Sequence, residues 1–302
     1  MRNLVKSILI IACIALLQLL LYGIIARPII TTWGASKEEI SMPMAGDNKD
    51  LAVTATRAIT INAPKSDVWK WLVQLGADRG GFYSYSFIEE ALGYETRHQN
   101  AIKPEFKEMK VGDLIRGSIN EEHSIFPYNF KVSYVKPEET FILDKWGTFL
   151  LKEVNGQQTR LVIRTQEVAN KTNAWQRISS YLEVSFHFIM ERRLLMGVKA
   201  RAEAGENLVL SQAQDIAWFS GVVLSGLLIC IFVYIARGAV QSLVISSVLS
   251  FGWMCSIWLA EPIPIYSLGM LLIIIITTLS MIMLRKARPI DRASLGKSNI
   301  SG

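Results

Sequence analysis

Leu51–Asn62 reads LAVTATRAITIN. Val53, Ala55, Arg57, Ile59 and Ile61 alternate with Ala52, Thr54, Thr56, Ala58 and Thr60. One face is apolar apart from Arg57, and the other is small and Thr-rich. A β-branched run of period two predicts a strand with one buried face. Ala63–Pro64 ends it. Behind them Ser66 suits an N-cap, and Trp69, Leu72, Val73 and Leu75 make the apolar face of a short helix that stops at Gly76.

Further along, Ala77–Ser86 (ADRGGFYSYS) reads as a loop, followed by a second short helix over Phe87–Leu92. Strands are expected at Leu114–Gly117, Tyr128–Val135, Thr140–Asp144, Phe149–Val154 and Thr159–Thr165. Turn residues separate them at Gly112–Asp113, Lys136–Pro137, Trp146–Gly147 and Asn155–Gly156. The Asn-Gly pair is the strongest hairpin signal in the chain. Trp175–Ala204 is free of proline, and Ile178, Leu182, Phe186, Ile189, Arg193 and Met196 recur at helical spacing. A strand, two short helices, a meander and one long helix define an α+β domain over residues 51–212. A long helix held off a curved antiparallel sheet would enclose a cavity.

Four apolar stretches flank this domain: Ser7–Ala26, Ile216–Ala236, Ala239–Ala260 and Ile263–Leu284. None contains Asp, Glu, Lys or Arg, and each is long enough to cross a hydrocarbon core, which takes roughly 20 residues as a helix. The first follows Arg2 and Lys6 as a signal peptide would. Its length and the unsuitable Ile24–Ile25–Ala26–Arg27–Pro28 cleavage region favour an uncleaved anchor, and too few apolar residues precede Cys13 for a lipobox. The expected plan is an anchor over 1–30, a polar linker over 31–50, the domain, three transmembrane helices over 213–286 and a basic tail over 287–302.

Charge supplies an orientation. Arg27–Asp215 holds 24 basic and 24 acidic residues, so the net +6 lies outside it. Arg2, Lys6, Arg237, Arg285, Lys286, Arg288, Arg292 and Lys297 all fall on one side of a four-span topology. The positive-inside rule makes that side cytoplasmic, with both termini there and the domain extracytoplasmic. The basic balance is thus a topology signal. No aromatic-interleaved basic patch points to nucleic acid. Cys13, Cys230 and Cys255, the three cysteines, lie in expected spans, so the domain needs no disulfide.

The spans carry no ionisable residue of the kind that transport or proton relay uses. Ser242, Ser246, Ser247, Ser250, Gly252 and Ser256 suit close helix packing. That stripe is the one support for a sensor or assembly subunit.

In the domain, Arg79-Gly80-Gly81 precedes a helix. It offers either an anion site or, more simply, a turn whose glycines take positive φ. His98, His123 and His187 fall on three elements without metal-ligand spacing, so no metal site is expected. Glu89–Glu90 and Glu121–Glu122 are adjacent acidic pairs, which on a helix point apart and read as solvated faces. Arg116 and Arg192–Arg193 are candidates to meet an anionic head group. There is no Ser-His-Asp signature, G-x-S-x-G, P-loop or G-x-G-x-x-G fingerprint.

Residues 55–93 (ATRAITINAPKSDVWKWLVQLGADRGGFYSYSFIEEALG) resemble the opening of START-like proteins of the polyketide cyclase/dehydrase, or SRPBCC, superfamily. Residues 186–203 (FHFIMERRLLMGVKARAE) are similar to the closing helix of a membrane-associated branch of it. The resemblance covers about residues 52–205. It implies a helix-grip fold around an apolar pocket for lipids, polyketides or other hydrophobic molecules, and in some members cyclisation or dehydration. The residues expected to line such a pocket are Arg79, Tyr83, Arg116, Trp146, Phe186, His187, Met190 and Arg193. No cofactor is expected. The expected partners are the lipid bilayer and a hydrophobic small molecule, which makes the chain a membrane-anchored binding module. An enzyme of the cyclase, dehydratase or hydrolase type is the alternative, with His187, Tyr83 or Glu183 as its acid or base.

Overall fold

The computed structural model describes residues 2–120, 128–168, 173–204, 211–236, 240–259 and 262–286. Six strands form one antiparallel sheet: β1 (Leu51–Ile61), β2 (Leu114–Arg116), β3 (Asn129–Lys136), β4 (Thr140–Leu143), β5 (Gly147–Asn155) and β6 (Gln158–Val168). Their spatial order is β1-β6-β5-β4-β3-β2. The last five are a meander, and β1 pairs with β6 in the register Arg57↔Ile163 and Ile59↔Leu161. The β5–β6 hairpin turns at Gly156–Gln157, one residue later than the Asn-Gly pair suggests. Asn155 is the last paired residue, opposite Gln158, and its Oδ1 accepts the Gln157 amide at 3.0 Å.

Helices precede, interrupt and follow the sheet. They are α1 (Arg2–Leu21), α2 (Arg27–Thr31), α3 (Lys37–Ser41), α4 (Lys65–Leu72), α5 (Ser86–Ala91), α6 (Ala174–Ala204), α7 (Ala213–Ala236), α8 (Val240–Trp258) and α9 (Pro264–Lys286). The chain divides into two compact units, Met1–Ile24 with Ala213–Gly302, and Ile25–Gln212.

In the first unit, apolar helices meet through small residues. Ser225, Ser246, Ser250 and Ser267 are buried, and Trp253 Nε1 donates to the Val222 carbonyl at 2.8 Å. Among the described residues three helices are long and apolar enough to cross a membrane: Val5–Thr31, whose last residues belong to the second unit, Ala213–Ile235 and Pro264–Leu284. The first runs through α1, one π-helical turn at Tyr22–Ala26, and α2. The third expected span forms α8, whose apolar part, Leu243–Trp258, is shorter than those three.

In the second unit, the inner sheet face packs on α4, the 73–83 loop and the second half of α6. Leu161, Ile163, Phe141, Phe149 and Val132 from strands meet Trp69, Leu72, Leu75, Phe82, Leu194, Leu195 and Val198. Each such buried apolar side chain contributes about 1.5–3 kcal/mol. Trp146 stands at the centre of an aromatic set, with ring centroids 4.8 Å from Phe130, 5.2 Å from Phe149 and 6.1 Å from Phe82. These rings occupy the space between helix and sheet where the sequence predicts a cavity. Large aromatic side chains thus stand between α6 and the sheet.

The segment expected as a linker is instead a strap on the outer sheet face. Ser36 and Glu39 form a reciprocal capping box that starts α3. Arg160 binds both Glu39 oxygens at 2.8 Å. Arg164, almost fully buried, donates to the Met42 and Glu39 carbonyls at 2.7 Å and to Asp47 Oδ2 at 2.7 Å. Gly34 lets the strap turn under β1. Its φ is +69°, and a Cβ there would stand 2.1 Å from the Ala58 carbonyl oxygen.

Candidate functional site

Arg57, the one charge on the apolar face of β1, is fully buried. Its NH1 meets Glu191 Oε1 of α6 at 2.8 Å, and both side chains are 0% exposed. Its Nε donates to the Ile30 carbonyl at 2.7 Å, and its NH2 lies 3.4 Å from the Val184 carbonyl. Glu191 Oε2 accepts the indole N–H of Trp146 at 2.8 Å. One turn back on α6, His187 Nε2 lies 3.6 Å from the same oxygen, with its ring edge-on to Trp146 at 5.6 Å. A buried carboxylate is tolerable when cations and donors surround it. Burial pushes the Glu191 carboxyl up, but Arg57, His187 and Trp146 outweigh it and leave it below its ordinary value. Burial pushes the His187 imidazole down further than Glu191 pulls it up. His187 is the member of the cluster with an exposed part, about 31% of its side chain.

Beside this cluster an open groove of about 620 Å³ runs between the outer edge of β1 and α6. Trp33, Ile59, Met196 and Ala200 give it apolar walls, and Arg160, Arg192, Lys199 and Glu203 give it charge. The Arg192 guanidinium lies 5.1 Å over Trp33 and 5.8 Å from Phe188, while Arg57 covers Phe188 at 5.2 Å. Lys199 Nζ donates to the Thr60 carbonyl at 2.8 Å and pairs with Glu203. Such a volume suits a small ligand, since binding clefts run from about 300 to 1,000 Å³.

The residues expected to share one pocket are spread over several places. Trp146 and His187 meet in the buried cluster. Met190 is half-buried nearby, and its carbonyl accepts the Ser84 hydroxyl at 3.0 Å. Tyr83 is buried apart from them. Its hydroxyl donates to the Trp71 carbonyl at 3.0 Å, and Arg201 lies 4.3 Å over its ring. Burial lowers Arg201 to about 10 and raises Tyr83.

Arg79 ties the 76–81 turn to Asp113 at 3.3 Å, and Gly81, at φ +86°, provides the turn itself. Arg116 is exposed, 4.0 Å from Asp78, because it ends a short edge strand. Phe186 is 68% exposed and points away from the sheet, because its neighbour Val184 and the following Phe188 take the buried face. Arg193 is half-buried, with its guanidinium 5.9 Å from the Tyr85 ring.

Glu89 departs from the solvated face expected of it. It is buried, accepts the Thr96 hydroxyl at 3.0 Å, and burial raises its carboxyl to about 7. Glu121, Glu122 and His123 lie outside the described residues. In sequence Glu191 reads as a neighbour of Arg192–Arg193 on an exposed face, whereas it is buried against Arg57 and His187; its place four residues after His187, on one helix face, is the signal for the second contact. Arg57 as a lone charge on an apolar strand face is the signal for a buried ion pair.

No family model matches the chain, and no curated protein matches it. Among solved structures it is similar to a "Conserved Protein of Unknown Function EF2215 from Enterococcus faecalis". The match has 17% identity and a TM-score of 0.32, and covers 54% of this chain and 80% of that one. A likeness of that size carries no inference about fold or activity. The class defined by the molecule itself is an α+β domain joined to helices capable of crossing a membrane.

Proposed function

We propose that the chain is a membrane-anchored binding module for a hydrophobic or lipid-like ligand, built as a START-like helix-grip domain on four spans. In this reading both termini are cytoplasmic and the domain is extracytoplasmic. The carrying observation is the groove beside β1, where apolar walls and cationic ends adjoin one another. The ligand's apolar part lies on Trp33, Ile59, Met196 and Ala200, and its polar end meets Arg192 and Lys199. Mostly apolar clefts with a few placed polar groups are the usual form of such sites. The buried Arg57–Glu191 pair fixes α6 against β1 and so holds the groove's two walls in place.

The test is extraction of the purified full-length protein with organic solvent and identification of what comes off. The wild-type chain should release a stoichiometric apolar molecule, and Ala200→Trp, which fills the groove, should release several-fold less. Equal release from both, or none from the wild type, would reject the reading.

One observation favours the enzyme alternative. Glu191, held by Arg57 and Trp146, is placed to orient the half-exposed His187 imidazole as a general base for a cyclase, dehydratase or hydrolase reaction. Unchanged turnover in His187→Ala across candidate hydrophobic substrates would dismiss it.

A further inference from the structure

The first turns of α6 do not pack on the sheet. Ala174–Ser179 are all exposed, and the large apolar side chains of the helix's first half form a stripe along one side. Trp175 is 74% exposed, Ile178 52%, Leu182 41% and Phe186 68%. Their spacing of three, four and four residues keeps them on one helix face. A stripe of this size turned to water is costly, at about 25 cal/mol per Å² of apolar surface.

Contacts inside the same unit, made by another face of this half, show how it lies. Arg27 lies over the Tyr181 ring at 5.0 Å. Arg57 is shared by the Ile30 and Val184 carbonyls. Trp33 meets Phe188 edge-on at 6.5 Å. Residues 27, 30 and 33 therefore advance in step with 181, 184 and 188, so α2 and this part of α6 lie side by side and run the same way. Arg27–Thr31 are the last residues of the apolar helix Val5–Thr31. Following α6 backwards from Tyr181 therefore leads the same way as following the chain back from Arg27 to Ala26 and Ile25. Trp175 is six residues back, about 9 Å along the axis at about 1.5 Å per residue.

We propose that residues 174–186 of α6 are a membrane-docking element, with Trp175, Ile178, Leu182 and Phe186 immersed in the outer part of the lipid bilayer. Several observations select lipid as the occupant. The helix that carries the stripe runs beside the end of a helix long enough to cross the bilayer, and the stripe lies on a face that the contacts with α2 leave open. Arg27, over the Tyr181 ring, and the exposed Arg177 lie on other faces of the same turns, where lipid phosphates accept their charge while the stems stay in apolar surroundings. Asn173 caps the helix, its Oδ1 accepting the Gln176 amide at 2.8 Å, so the segment enters the interface as a formed helix.

Docking deepens the ligand-binding reading by holding at the bilayer the first half of the helix whose second half walls the groove. It rests on the spanning of Val5–Thr31 and does not require a bound ligand.

The experiment uses the full chain in phosphatidylcholine–phosphatidylglycerol vesicles, with the three native cysteines replaced by serine. Single nitroxide labels go on Trp175→Cys, Ile178→Cys, Leu182→Cys and Phe186→Cys. Leu20→Cys, in the apolar helix, and Val154→Cys, exposed near the β5–β6 turn, serve as references. All six positions are exposed, so labelling disturbs no packing. At the four stripe positions collision with oxygen should exceed collision with a water-soluble nickel complex, as at Leu20, with the reverse at Val154. Nickel-accessible stripe labels beside a lipid-exposed Leu20 would overturn the docking and leave the anchor standing. Stripe labels shielded from both reagents would show protein as the occupant and also overturn it. A nickel-accessible Leu20 would remove the anchor, and the docking with it.

Discussion

The Arg57 guanidinium and the Glu191 carboxylate meet at 2.8 Å with neither side chain exposed. They lie 134 residues apart, one on an edge strand and the other on the helix that covers the sheet. Removing one partner leaves a buried charge uncompensated, which costs about 3–5 kcal/mol. Glu191→Ala and Arg57→Ala should each lower the thermal midpoint of the full chain in detergent far more than the double apolar replacement Arg57→Met, Glu191→Leu. Equal losses in all three would show that the pair matters only as bulk.

Glu89 makes stability depend on pH. Its carboxyl is about 7 in the folded chain against an ordinary 4.5, because burial disfavours the anion; Thr96 opposes that shift and Glu90 adds to it. Between those values the folded state holds more protons than the unfolded one, so stability falls as pH rises from about 4.5 to about 7 and then levels. At about 1.36 kcal/mol per pKa unit the loss reaches roughly 3 kcal/mol at most. Denaturation of Glu89→Gln across that range should be flatter than that of the wild type.

The strap over residues 34–47 is held by Arg160 and Arg164. Arg164→Ala removes donors to Met42, Glu39, Ile40 and Asp47 together, and Gly34→Ala forces a Cβ against the Ala58 carbonyl. Either change should speed tryptic cleavage after Lys37 and Lys49 several-fold. A cleavage rate equal to that of the wild type would show that the strap is held by other contacts.

Topology is open to a direct check. Eight basic residues on one side predict a cytoplasmic C terminus. A C-terminal fluorescent protein that folds only in the cytoplasm should therefore be bright, and a C-terminal phosphatase that is active only outside should be silent. The opposite pattern would invert the orientation.

Much of the sheet is legible in local pattern. The alternation in β1, the turn residues of the meander and the proline-free run of α6 each mark an element within a few residues of its observed ends. The strap is not legible, although Ser36-x-x-Glu39 announces a helix start. Its place depends on Arg160 and Arg164, which read as ordinary strand charges until their partners more than 110 residues away are known. The spread of the expected pocket residues over several places has a related reason. Spacing puts Phe186 and His187 on the same helix but does not say which of them faces the sheet. The size of Trp146, Phe130 and Phe82, which decides whether a cavity survives, acts only once the elements are packed.

The central claim is that the domain carries a hydrophobic ligand in the groove between β1 and α6. Native mass spectrometry of the full-length chain released from lipid nanodiscs tests it most directly. The account predicts one retained apolar adduct on the wild type that survives activation sufficient to strip loose lipid, and its loss in Ala200→Trp. A bare wild-type mass under the same activation would contradict it.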